Sequence, residues 1–189
     1  MTIGVLALQG AFAEHEKMLH ELGASCVELR QKQDLEKDFD GLILPGGEST
    51  VQGKLLKELD MLDELKKRIQ NGLPVLATCA GLILLAEKID GEEYSYFGTL
   101  PVTVKRNAYG RQLGSFYTED KFGELESVPM PFIRAPYIAE VQDGVKILAQ
   151  VNGNIVGAEY KNQIGISFHP EVRKDTRIHE YFLRKIRER

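Results

Sequence analysis

The sequence predicts an α/β protein: an open, mostly parallel sheet flanked by helices, with antiparallel strands in its second half. In the first half, short apolar runs alternate with helical patterns, the order that parallel βαβ units produce. In the second half, strand-like runs follow one another with turn signals between them, as in antiparallel hairpins. The 189 residues suffice for one well-filled core, since single domains commonly run to about 100–200 residues. No linker, repeat or low-complexity stretch divides them, so residues 1–189 are expected to form one domain.

IGVLAL (residues 3 to 8) is a buried-strand run. Residues 11 to 22 place Phe12, Met18, Leu19 and Leu22 on one helical face, and Gly23 is a suitable stop. SCVEL (25 to 29) and GLILP (41 to 45) supply the second and third strands, and residues 61 to 69 form a helix closing at Asn71-Gly72. Residues 74 to 77 are the fourth strand, and residues 80 to 89 the helix that leaves it. LPVTVKR (100 to 106) and QLGSFYTE (112 to 119) read as strands about a turn-like NAYG. FIRAPYIAEVQ and VKILAQV then precede an Asn152-Gly153 hairpin signal and NIVGAEY. IGISF (164 to 168) is a further apolar strand running into His169-Pro170-Glu171. Residues 175 to 189 close as a helix with Ile178, Phe182 and Ile186 on one face and basic residues late, where the dipole favours them. Residues 90 to 98 and 120 to 131 carry no usable motif.

Charge and cysteine usage narrow the setting. Against 28 Asp and Glu stand 24 Lys and Arg, a net charge of −4, and no block of like charges argues for nucleic acid or an anionic membrane. The start, MTIGVLALQGAF, lacks a basic region and breaks at Gln9 and Gly10, so it reads as a strand rather than a signal peptide. No apolar run approaches the roughly 20 residues of a membrane span. Cys26 and Cys79 cannot build a disulfide framework. With His15, His20, His169 and His179 scattered along the chain, they do not make a structural zinc site either. A cytoplasmic protein with a free thiol at Cys79 and no metal is the expectation.

Cys79 lies at the join of an apolar strand and an apolar helix, in A-T-C-A-G. In open α/β sheets ligands bind outside the carboxyl ends of strands. A nucleophile on such a turn needs small neighbours, which Ala77 and Gly81 provide. The helix starting at Ala80 would favour the thiolate and offer a backbone N–H to an oxyanion. The alternative is a small buried hydrophobe, the reading given to Cys26. His169 is the candidate base: Pro170 biases it to an extended conformation, in which Glu171 lies on the same side and can orient the imidazole. The competing reading of H-P-E is a strand-end turn with a solvated Glu. His15, His20 and His179, on helical patterns amid charges, read as solvated surface groups. PGGEST (45 to 50) is either a nest of backbone N–H groups for an anion or an ordinary turn in which Ser49 or Thr50 caps a helix. It lacks the pattern of a phosphate-binding P-loop.

With PGGEST, TCAG and SFHPE in this order, the chain resembles the class I (triad) glutamine amidotransferases. Its segments GVLALQGAFAEH, TCAGLILLA, VKRNAYGRQ (104 to 112), FIRAP (132 to 136) and GISFHPE make it similar, within that class, to the glutaminase subunits of two-subunit pyridoxal 5′-phosphate synthases. The resemblance implies a flavodoxin-like sheet, with Cys79 as nucleophile, His169 as general base and acid, and Glu171 as orienting carboxylate. Gly46, Gly47, Glu48 and Ser49 match the family's glutamine-binding and oxyanion loop, and the oxyanion would rest on the N–H groups of Gly47 and Ala80. Arg106, Ile133 and Arg134 match its other glutamine contacts; for the two arginines the local alternative is a surface ion pair. Gln9 and Gly10 match a loop bordering the active site and the partner interface. The reaction so implied hydrolyses L-glutamine through a Cys79 thioester without metal or organic cofactor. It delivers ammonia to a barrel-type synthase subunit in a large hetero-oligomer that makes pyridoxal 5′-phosphate. One departure is Ala77, where the class often has Gly; a positive φ there would strain it. Two other readings are a glutaminase serving another synthase, such as imidazole glycerol phosphate synthase, and a non-catalytic α/β protein with Cys79 as a redox sensor.

Overall fold

The computed structural model describes residues 1–106 and 114–189. Strands β1 (Thr2–Leu6), β2 (Ser25–Leu29), β3 (Gly41–Leu44), β4 (Val75–Thr78) and β12 (Gln163–Ile166) lie side by side in the order β2-β1-β3-β4-β12, all parallel. That is the flavodoxin-like order, with its switch point at β1 and β3. Beyond β12 the sheet continues through β11 (Asn154–Tyr160), β9 (Tyr137–Val141), β6 (Leu100–Lys105) and β5 (Ala86–Ile89), while β10 (Lys146–Val151) pairs with β11. The pairings of β11 with β12, β10 and β9, and of β9 with β6, are antiparallel. β7 (Ser115–Phe122) and β8 (Leu125–Ile133) form a separate antiparallel hairpin.

The central strands β3, β4 and β12 are buried at every position, and apolar except at Thr78 and Gln163, because both of their faces are covered. Side chains alternate between two cores. Leu42, Leu44, Val75 and Ala77 meet Leu56 of α2 (Ser49–Glu58), Leu65 of α3 (Leu62–Gln70) and Leu82 of α4 (Ala80–Leu85). Ile43, Leu76, Ile164 and Ile166 meet Leu19 of α1 (Phe12–Glu21), Phe182 of α5 (Arg177–Arg187) and Phe132 of β8. By the same alternation Thr78, at the end of β4, points to the α1–α5 side. The Asn152-Gly153 signal is realised: Val151 pairs with Asn154, and φ values of 50° and 81° at the two turn residues supply the left-handed pair a tight hairpin needs.

One expectation needs correction. The helix after Cys79 was expected over residues 80 to 89, but α4 ends at Leu85, and Ala86 turns to φ −55°, ψ 137° to enter β5. The six residues AGLILL are all buried, and Glu87-Lys88 then sit between buried Ala86 and Ile89 in a strand paired with β6. Residues 120 to 131, which carry no sequence motif, lie in the β7–β8 hairpin. Pro129 and Pro131 mask this strand in the sequence; as an edge strand it tolerates residues that cannot donate to a ladder. Its Phe132 stacks on Phe116 with ring centres 4.4 Å apart. NAYG and Arg111 to Leu113 lie outside the described residues. Among the described residues no helix is long and apolar enough to cross a membrane.

α4 leaves β4 at close range to β3. A Cβ on Gly81 would lie 2.1 Å from the Leu44 carbonyl oxygen, a contact that only movement of helix or strand relieves. Gly81→Ala is therefore expected to destabilise the fold by about 3 kcal/mol or more, in the upper range of overpacking substitutions. A urea midpoint equal to that of the unsubstituted chain would disprove this close packing.

Candidate active site

At the carboxyl edge of the parallel sheet, the ends of β1, β3, β4 and β12 bring Gln9-Gly10, Gly46-Gly47, Cys79 and His169 together. The first two loops are joined directly: Ala11 N–H donates to the Gly46 carbonyl at 3.0 Å, and Glu48 N–H donates to Gln9 Oε1 at 2.8 Å. Gln52 of α2 fastens the same junction by donating from Nε2 to the carbonyls of Gln9 and Pro45 at 2.9 and 3.1 Å. Because the Gly46–Gly47 peptide is trans and its carbonyl faces Ala11, the Gly47 N–H points away from that loop. Neither Ser49 nor Thr50 caps α2; its N-cap is Glu48, with no side-chain capping bond.

Cys79 has φ 48° and ψ −103°, a conformation that costs a non-glycine residue about 1–3 kcal/mol and persists only where surroundings hold it. Its N–H donates to Ile166 O at 2.8 Å, which extends the β4–β12 ladder to the cysteine. Ala77 lies in buried β4 with no positive φ, so the substitution for Gly carries no strain there, and the positive φ of the turn falls on Cys79. Sγ is 3.9 Å from Ile133 O. His169 N–H donates to Pro131 O at 2.9 Å, and Nδ1 meets Glu171 Oε1 at 2.7 Å. The remaining ring nitrogen is left for the hydrogen bond to the Cys79 thiol. Gly46 lies directly under the imidazole: a Cβ there would be 2.3 Å from His169 Cε1 and 3.4 Å from Cys79 Cβ.

The H-P-E segment achieves its contact differently from the extended arrangement expected. His169 is non-helical, at φ −112° and ψ 82°, as a residue before proline should be, but Pro170–Val172 is a 3-10 turn. The turn tucks Glu171 inward, where it is 5% exposed. Burial disfavours a charged His169, yet hydrogen bonds and charges from Cys79 and Glu171 outweigh it and raise the pKa to about 10. Burial likewise opposes ionisation of Glu171, but the imidazoles of His15 and His169, with the His169 hydrogen bond, hold its pKa below the ordinary value.

A cavity of about 580 Å³ opens over the thiol. Of the sequence-predicted residues, Gln9, Gly47, Glu48, Ser49, Ala80, Arg106, Ile133 and Arg134 line it with Cys79 and His169. Gly46 and Glu171 lie beneath and behind the imidazole, and Gly10 packs on the Gly46 carbonyl. Arg106 reaches Tyr94 Oη at 3.4 Å and Glu92 Oε1 at 3.7 Å, while its buried Nε has no hydrogen-bond partner among the described residues. Arg134 is exposed with φ 47°. Among the described residues no group of three or more His, Cys, Asp or Glu is arranged to hold a metal ion.

His20 is exposed as expected, but His15 and His179 are fully buried, which corrects their reading as surface groups. The signal was present. His15 stands three and four residues before the core residues Met18 and Leu19, and His179 stands three and four before Phe182 and Leu183, so each falls on the apolar stripe of its helix. Gln52 and Thr78 were also not singled out from the sequence.

Residues 5–188 match the SNO glutamine amidotransferase family. The chain is 66% identical over 186 residues to the pyridoxal 5′-phosphate synthase subunit PdxT of Desulfitobacterium hafniense (strain Y51), covering 98% of this chain and 94% of that protein. It is 54% identical over 192 residues to PdxT of Streptococcus pneumoniae (strain ATCC 700669 / Spain 23F-1), covering both chains fully. A solved structure described as a glutamine amidotransferase superposes with a TM-score of 0.92 at 43% identity, covering 97% of this chain and 98% of that one.

The raised His169 pKa has a definite sign in stability. A group raised from 6.5 to about 10 on folding contributes stability that is fully present below pH 6.5 and is lost as pH rises to about 10. Thermal unfolding of the unsubstituted chain and of His169→Asn should therefore show a Tm difference that is largest near pH 6.5 and narrows towards pH 10. A difference that does not change with pH would show that His169 is not held as an imidazolium.

Proposed function

The chain belongs to the SNO glutamine amidotransferase family, and from that premise we propose that it is the glutaminase of a pyridoxal 5′-phosphate synthase, hydrolysing L-glutamine to L-glutamate and ammonia. The observation that carries this reading is the thiol, imidazole and carboxylate brought together at the strand ends beneath a cavity that Glu48, Arg106 and Arg134 help to line. The identity to PdxT proteins over the whole chain supports the particular synthase.

In the mechanism we assign, glutamine lies in the cavity with its α-carboxylate towards the guanidinium groups of Arg106 and Arg134, which bind carboxylates through paired donors. Glu48 supplies the opposite charge for the α-ammonium group, and Gly46, Ser49 and Ile133 complete the walls. The Cys79 thiolate attacks the side-chain amide carbon, and the N–H groups of Gly47 and Ala80 receive the negative charge that develops on oxygen. His169, kept protonated by its partners, gives its proton to the leaving nitrogen, so that ammonia departs and a thioester remains. The imidazole, now neutral, takes a proton from water; hydroxide adds to the thioester, glutamate leaves, and thiolate and imidazolium are restored. Glu171 does not exchange a proton in this cycle but fixes the ring and favours its charged state.

Ammonia released into bulk water would be protonated and lost as a nucleophile, so the product must pass directly to an acceptor. We assign that role to a barrel-type synthase subunit in a large hetero-oligomer, docked on the Gln9-Gly10 side of the cavity and working in the cytoplasm. The deciding experiment measures glutamate release by this chain alone and with the pyridoxal 5′-phosphate synthase subunit added. Activity should rise with the subunit and vanish in Cys79→Ala. Glu171→Gln should lower kcat by about 10²- to 10⁴-fold, in the range of orienting-carboxylate losses in related triads. Activity indifferent to the added subunit would assign the ammonia to another synthase, and Cys79-independent release would overturn the mechanism.

A further inference from the structure

Glu171 is bonded on only one of its oxygens. Oε1 takes the His169 Nδ1–H, whereas buried Oε2 has no hydrogen-bond partner among the described residues. A buried carboxylate with a free oxygen can rotate and release the imidazole it should orient, so the groups behind it decide how firmly it is held. The group within reach is His15 Nε2, at 3.5 Å from Oε2. The same nitrogen is 3.2 Å from Thr78 Oγ1, and that oxygen accepts the Gly46 N–H at 3.0 Å. His15 Nδ1 is 2.9 Å from His179 Nε2.

One set of proton positions gives Glu171 Oε2 a facing donor. A carboxylate only accepts, so in that set Nε2 of His15 carries the hydrogen, which faces both Glu171 Oε2 and Thr78 Oγ1. Nδ1 is then bare and accepts from His179 Nε2–H, leaving His179 Nδ1 as a bare nitrogen with no partner among the described residues. Burial lowers the pKa of His15 against the opposing charge of Glu171, and it takes that of His179 down to about 3, so burial favours the neutral form of both rings. Every N–H in the series then points towards Glu171.

We propose that His15 is a positioning residue for the triad, with His179 fixing its tautomer. One buried ring braces the site along two paths: through Glu171 it holds the orientation of His169, and through Thr78 it holds Gly46, the floor on which the imidazole lies. Thr78 also immediately precedes the nucleophile, so the same brace reaches Cys79 along the backbone. The ring touches no substrate, and its removal acts on turnover rather than on glutamine affinity. This inference rests on the glutaminase reading above.

The test compares His15→Leu, which keeps bulk but has no polar atom, with His15→Gln, whose amide N–H can replace the Nε2 donor. Both are assayed for glutaminase activity as the complex with the synthase subunit. Expected are a fall in kcat of about 10- to 100-fold for His15→Leu, the scale of a small misplacement of reacting groups, a KM for glutamine within about threefold, and recovery of most of the loss in His15→Gln. Unchanged kcat in folded His15→Leu, a loss carried by KM, or no recovery by the glutamine variant overturns the role. If His15→Leu does not fold, nitrogen-15 NMR of the unsubstituted chain decides alone. A neutral His15 protonated on Nε2 at pH 7 supports the brace, and an Nδ1–H tautomer or an imidazolium overturns it. Inactivity of the unsubstituted complex would count against the glutaminase reading itself, and the NMR result would still stand or fall separately.

Discussion

The site depends on a backbone position that its own residue disfavours. Cys79 is held at φ 48° and ψ −103° between β4 and α4, and nothing local to the cysteine stabilises that conformation. The restraint comes from both sides: the Cys79 N–H is tied to Ile166 of β12, and Gly81 brings the helix against the end of β3. Relaxing either would return the thiol to an ordinary conformation, with Sγ turned from the imidazole. The complete burial of β3, β4 and α4 therefore serves the site directly, because a well-packed sheet is what can impose a left-handed conformation on a residue with a side chain.

The two faces of the sheet are unlike. On the α2–α3–α4 side the packing is mostly aliphatic, joined by Tyr96 and Phe97. On the α1–α5 side the same kind of core is interrupted near the strand ends by Thr78, His15, His179 and Glu171, all buried. Polar groups in such a place are costly unless they are paired, and here most of their capacity is spent on one another and on Gly46. The β7–β8 hairpin lies on this second face. Its strand end places Ile133 and Arg134 at the cavity mouth, and the Pro131 carbonyl accepts the His169 N–H.

Much of this was legible in the chain. The parallel strands announced themselves as short apolar runs because both faces are covered, and the turn at Asn152-Gly153 because few other residues take two left-handed positions in succession. Cys79, His169 and Glu171 could be placed from strand-end chemistry, and the resemblance named the loop at Gly46-Gly47. What stayed hidden had physical reasons. The end of α4 is set by pairing of residues 86–89 with β6, a long-range contact with no local mark. Of the β7–β8 hairpin, β7 was legible as a strand over residues 112 to 119, whereas β8 was disguised by acidic residues and by prolines tolerated at an edge. His15 and His179 were misread because a polar residue on an apolar stripe looks like a surface residue until its partners, which come from distant parts of the chain, are known.

The position of β12 has a consequence for the birth of the molecule. β12 pairs directly with β4, although 84 residues lie between Thr78 and Gln163, and His169 follows only after β12. While the chain emerges from the ribosome, β1 to β4 can assemble from neighbouring segments, but the slot beside β4 stays empty until β12 has been made. Such non-local pairings are slow to form because chain closure must precede their reward. The Cys79 thiol is accordingly made well before the imidazole that faces it, and the two meet only when β12 has closed beside β4.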